Sequence, residues 1–131
     1  MAATLAPSSS KLLAAFLILY IVAHASGKLC DKSSVNVSYE RTGTVVEGQP
    51  EWEVVVRNTC GCSLSHVQLT CTGFSTVKEV DPRLFRSLAK DQDHCLVNDG
   101  KPIAPSSTVR FSYAWLTPYD LPFFSAQPRC T

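Results

Sequence analysis

Along most of the chain, apolar residues recur at every second position. Val35, Val37 and Tyr39 alternate with Asn36, Ser38 and Glu40, and Trp52, Val54 and Val56 alternate with Glu53, Val55 and Arg57. Val67, Leu69 and Cys71 are separated by Gln68 and Thr70; Val109, Phe111, Tyr113 and Trp115 are separated by Arg110, Ser112 and Ala114. Successive side chains on a strand point to opposite faces, so each run predicts a strand with one buried face. The runs are rich in β-branched and aromatic residues, which suit that environment. Shorter strand candidates are residues 44–46, 74–80 and 95–97.

The breaks between runs carry turn chemistry. Glu47-Gly48-Gln49-Pro50 separates the first two strands. Asn98-Asp99-Gly100 tolerates positive φ, which predicts a hairpin joining Leu96 and Val97 to the segment from Lys101. Pro102 and Pro105 keep Ile103 and Ala104 extended or at a sheet edge. One stretch departs from period two. Asp81 is a helix cap, Pro82 suits a first turn, and Leu84, Phe85 and Leu88 form a stripe, which predicts a short helix over 82–89. From Pro118 on, Pro122 and Pro128 predict an irregular tail. The fold class expected is all-β: a small β-sandwich with one short helix.

The front of the chain follows a different logic. Lys11 precedes an apolar run over 12–23, and Ala23-His24-Ala25 then offers small residues at the two positions a signal peptidase reads. A membrane span needs about 20 apolar residues, so this run predicts a cleaved secretory signal, 1–25, ahead of a domain over 26–131. The expected product is extracellular, without membrane insertion.

Composition adds one decisive number. The 131 residues are 45% hydrophobic and 18% charged, with twelve Lys and Arg against eleven Asp and Glu. That balance argues against nucleic acid as a partner. The six cysteines, Cys30, Cys60, Cys62, Cys71, Cys95 and Cys130, are an even set in a chain addressed to an oxidising compartment. They read as three disulfides stapling a modest core. Structural zinc sites present two paired clusters, whereas here only Cys60 and Cys62 are close. Those two are too near in sequence to bond to each other, and the remaining pairings stay open.

No nucleophile elbow, zinc-protease helix or phosphate-cradling glycine loop is present, and bridged cysteines leave no thiol nucleophile. Glu51 and Glu53, two apart on one strand face, read as a solvated surface rather than an acid–base pair, and His66 and His94 sit in no catalytic motif. The chain is therefore expected not to be an enzyme and to need no cofactor or metal. Asn36-Val37-Ser38 is an N-glycosylation acceptor, and alternation turns Asn36 to solvent if Val35 and Val37 face the core. Asn58-Thr59-Cys60 lacks the hydroxyl residue and reads as the end of a strand. Trp52, Phe111 and Tyr113 are expected in the core, whereas Trp115, Tyr119, Phe123 and Phe124 fall on or near the proline-rich tail.

Several of these features occur together in one order: Asn58-Thr59-Cys60 with Cys62, Val67-x-Leu69-x-Cys71, Gly73-Phe74, Val80-Asp81-Pro82, Cys95, Asn98-x-Gly100, then 111–115 reading Phe-Ser-Tyr-Ala-Trp, and finally Cys130. The pattern resembles the plant tapetum determinant family of small secreted cysteine-rich proteins. The resemblance implies a ligand for a leucine-rich-repeat receptor kinase that sets cell fate in the anther, specifying tapetum and limiting the number of spore-forming cells. On that reading the receptor contacts are expected at Trp115, Tyr119, Phe123 and Phe124, and at Asn98 and Lys101. Residues 54–71 and 108–115 are also similar in pattern to small sandwich modules attached to some plant cellulases. That alternative, an extracellular carbohydrate-binding module for cell-wall polysaccharide, would need Trp52 and Trp115 exposed and coplanar.

Overall fold

Glu47 and Gly48 both take positive φ, 48° and 80°, so the chain reverses in a tight turn whose twist matches its flanking strands. This turn joins β1 (Val35–Val46) to β2 (Gln49–Asn58), and β2 also pairs with β6 (Thr108–Ala114) in an antiparallel sheet of order β1-β2-β6. A second antiparallel sheet is built from β3 (Ser63–Thr70), β4 (Phe85–Leu88), β5 (Asp91–Val97) and β7 (Phe123–Arg129), in the order β4-β5-β3-β7. This computed structural model describes residues 30–31 and 33–130. The expected signal segment lies outside them. Among the described residues no helix is long and apolar enough to cross a membrane.

The period-two pattern places the core. Val54 and Val56 of β2, Phe111 and Tyr113 of β6, Val67 and Leu69 of β3, and Cys95 and Val97 of β5 share one buried cluster. Phe85 of β4 stacks on Phe111 of β6 at 4.3 Å, so an aromatic pair joins the two sheets directly. Trp52, expected in this core, is only half-buried at its margin.

Four expected local structures differ. The 82–89 helix makes a single turn: the Leu84 and Phe85 amides donate to the Asp81 carbonyl, and the Arg83 amide to the Asp81 carboxylate. Phe85 then opens β4, because its ring reaches the core only if the backbone joins β5. Residues 74–80 are irregular; the Val77 amide instead donates to the Ala114 carbonyl, and the Thr76 hydroxyl accepts from the Ala114 amide, along the edge of β6. The Asn98–Gly100 turn forms with positive φ at all three residues, but the outgoing chain leaves β5, and Ile103 bridges Leu64 of β3. The proline-rich tail, finally, becomes β7. It is an edge strand, and Pro128 sits opposite Leu64 where a missing amide is tolerated.

The cysteines pair as Cys30–Cys60, Cys62–Cys130 and Cys71–Cys95. All six are thereby bonded. The sulfurs of Cys30, Cys60 and Cys62 lie within 4.8 Å of one another because two bridges meet across Gly61. One fixes the start of the described domain and the other its end.

Candidate docking surface

The tail residues divide by what their side chains touch. Tyr119 is a clasp. Its hydroxyl accepts from the Ser75 amide and donates to the Gly73 carbonyl, while its own amide donates to the hydroxyl of Tyr113. Burial pushes the Tyr113 phenol up, so at any ordinary pH it stays a neutral acceptor there. Trp115 is half-buried. Its carbonyl accepts from the Trp52 indole at 3.1 Å and its amide donates to Pro50. The Trp52 ring is not free: Tyr39 meets it edge-on at 86°, and Arg41 lies over its face. Both rings are partly buried against the core, whereas sugar stacking calls for exposed ones.

Phe123 pairs with Leu69 and packs against the core, whereas Phe124 is 50% exposed. Exposed phenylalanines are ordinarily mobile, but this ring stacks on the imidazole of His94 at 3.7 Å and 22°. His94 is in turn hydrogen-bonded through Nδ1 to the carboxylate of Asp91. That bond, the leading cause, holds the Asp91 carboxyl below the usual carboxylate range. A carboxylate, an imidazole and a phenyl ring thus form a chain, with each group oriented by the next.

The remaining candidates belong partly to the same face. On β5, Cys95 and Val97 point into the core, so His94 and Leu96 lie on the opposite face, where Leu96 is buried against the turn that follows the strand. Arg86 stands opposite Leu96 and forms an ion pair with Asp99 at 2.9 Å. The turn Asn98–Gly100 folds back so that Gly100 lies against Leu96 and His66. Asn98 steadies it by donating to the carbonyls of Lys101 and Pro102, leaving the Lys101 side chain exposed. His94 and Leu96 are two residues apart, or about 7 Å along the strand. The outer face of the four-stranded sheet therefore carries Phe124 and His94 together with the Asn98–Lys101 turn.

Trp115 is elsewhere. It bonds Pro50 at one end of β2, whereas Ser106 and Ser107, which follow the turn, bond Asn58 at the other. The six expected contact residues thus separate into a surface group (Phe124, Asn98, Lys101) and an anchoring group (Trp115, Tyr119, Phe123). His94, Asp91 and Arg86 join the surface group. Only alternation along β5 could have pointed to His94, and nothing local points to its stacking on a strand about 30 residues later.

Glu51 and Glu53 are each paired with a cation. Glu51 accepts from Lys78 at 2.6 Å and from Thr42, and these bonds hold its carboxyl below the ordinary range. Glu53 pairs with Arg110 at 3.1 Å. Asn36 is exposed on β1, and Asn58 is buried.

The sequence profile of a family described as "Tapetum determinant 1, C-terminal" matches residues 31–130. The chain is 36% identical over 97 residues to TPD1 protein homolog 1 of Arabidopsis thaliana, covering 72% of this chain and 53% of that protein. It is 37% identical over 89 residues to TPD1 protein homolog 1A of Oryza sativa subsp. japonica, covering 62% of this chain and 38% of that one. An uncharacterized Arabidopsis thaliana protein is 32% identical over 99 residues, with 75% of this chain and 77% of that protein covered. The chain thus spans about half or less of the length of the first two relatives. No solved structure matches it.

Proposed function

The chain belongs to the tapetum determinant family, and we propose that it is a secreted signalling ligand for a leucine-rich-repeat receptor kinase in the control of anther cell fate. In this reading the chain acts in the apoplast, and its product is a binding event on the receptor ectodomain. The outer face of the β4-β5-β3-β7 sheet is the docking surface. Phe124 is the anchor, His94 orients it, and the Arg86–Asp99 pair with Lys101 forms a polar rim.

One observation carries the choice of face: Phe124 is half-exposed yet held in place by the His94 ring. An aromatic side chain already ordered before contact loses little freedom on docking, which is the property of interface residues that dominate affinity. The extended concave surface of a repeat ectodomain suits a rigid, disulfide-stapled ligand.

The test is Phe124→Ala in the correctly oxidised domain, with binding measured on immobilised receptor ectodomains. Affinity should fall by at least about tenfold with the melting temperature unchanged. Phe123→Ala is not an equivalent probe, since that ring packs against the core. Undiminished binding of the Phe124 variant would exclude this face.

A further inference from the structure

We propose that Asn36 carries a single N-linked oligosaccharide, and that this glycan reserves the outer face of the three-stranded sheet for solvent. Asn36-Val37-Ser38 has the acceptor spacing, with no proline between the asparagine and the hydroxyl. The acceptor pattern alone is common, and three features of the fold distinguish this copy.

The first is direction. Val35 is buried and Val37 half-buried on the core side of β1, so Asn36 and Ser38 point together to the opposite, exposed side. No described residue hydrogen-bonds to the Asn36 carboxamide. The second is room. β1 pairs only with β2 and is the edge of its sheet. Asn36 stands opposite Arg57, which stands opposite Thr108, and all three are exposed. A bulky hydrophilic group at the edge of that row displaces no packed side chain. It also covers a long edge strand whose unpaired amides and carbonyls are otherwise open to another chain.

The third is the contrast with the other asparagines. The chain has three. Asn58 is 1% exposed; its Nδ2 donates to the carbonyls of Cys62 and Ile103, and its Oδ1 accepts from the Cys60 amide. Asn98 is followed by Asp99 and Gly100, with no hydroxyl residue at the required place. One site, and one glycan, follows.

The chemistry is a group transfer from a lipid-pyrophosphate-linked oligosaccharide. A bond forms between Asn36 Nδ2 and the anomeric carbon of the reducing-end sugar, and the bond from that carbon to the lipid pyrophosphate breaks. The amide nitrogen loses one proton, and the lipid pyrophosphate leaves with the bonding pair. No oxidant or reductant takes part. The proposal shares with the signalling role only the premise that the chain enters the secretory route.

The experiment expresses the full chain in plant cells and examines the exported protein by intact mass, before and after an amidase that cleaves N-glycans. The wild type should carry one glycan, and enzymatic removal should leave Asp at position 36 in a peptide map. Asn36→Gln and Ser38→Ala should each abolish the added mass, and Ser38→Thr should retain it. Because Ser38→Thr places a β-branched residue, which suits a strand, at an exposed strand position, it also controls for folding. An exported wild type with the mass of bare polypeptide overturns the proposal. A chain retained in the cytosol overturns it together with the secreted role, and the location of the protein tells the two failures apart.

Discussion

Asn58 uses both ends of its carboxamide on backbone groups: the carbonyls of Cys62 and Ile103, each at 2.8 Å, and the amide of Cys60. Replacing it by Ala orphans the Cys62 carbonyl and the Cys60 amide, at about 1–3 kcal/mol each before water relieves them, and costs the Ile103 carbonyl one of its two donors, the Leu64 amide remaining. Asn58→Ala is therefore expected to lower unfolding free energy by about 3 kcal/mol in a urea titration of the oxidised protein. The end of β2 was legible in the sequence at this residue, but its structural task was not. Its partners lie between 2 and 45 positions away, and only the folded chain brings them to one carboxamide. Glu51 gives a pH-dependent case. The Lys78 and Thr42 bonds depress its carboxyl in the folded state relative to an ordinary value of 4.5. A depressed carboxyl stabilises the fold at pH above that ordinary value, and its contribution disappears as pH falls through the lower folded value. Lys78→Met should thus melt earlier than wild type at neutral pH, and the gap should close in acid, as followed by thermal melts across pH.

Strands β4 and β7 show how an element can be misread when every local cue is present. Asp81 does cap a turn and Pro82 does sit in it, but after one turn the ring of Phe85 has a better place between Phe111 and Phe74. Burial of a large aromatic outweighs the few tenths of a kcal/mol that local propensity offers. Phe85→Ala is expected to cost about 3–5 kcal/mol, read from the denaturant midpoint. Pro128, the one proline within β7, does not enforce the expected irregular tail, because an edge strand tolerates the missing amide. Regular alternation made β2, β3 and β6 legible. The outer face of the second sheet was not, since Phe124 and His94 come from strands separated by β3. That face can be probed with an added glycan. Asp99→Asn combined with Lys101→Thr writes an acceptor site into the exposed turn beside Leu96; it also removes two rim charges, so Asp99→Asn with Lys101→Ala, which makes the same charge change without an acceptor, is the control. Receptor binding should be lost in the acceptor variant, beyond any loss in that control, and kept in Asn36→Gln, as measured by ectodomain capture of each protein.

Three bridges divide the work of holding a small molecule together, and they are not equivalent. Cys71–Cys95 lies in the core, whereas Cys130 is exposed at the end of β7. Cysteine count and compartment made the presence of bridges legible. Their partners were not, because separations of 24, 30 and 68 residues leave no local trace. The longest loop is closed by Cys62–Cys130, for which the chain-entropy account gives about 4 kcal/mol. Its loss falls on one element, since β7 pairs with β3 alone and that ladder is interrupted by register shifts. Cys62→Ser with Cys130→Ser should therefore speed amide exchange in β7 well before β2 or β6, with the Cys71–Cys95 bridge intact in a thiol assay. Phe124 is carried on β7, so the same variant should lose receptor affinity at temperatures where the β1-β2-β6 sheet is still fully protected. Binding and global unfolding would then separate along the temperature axis. That separation is expected if the terminal bridge positions the docking residue, whereas coincident loss would mean that β7 unfolds only with the whole molecule.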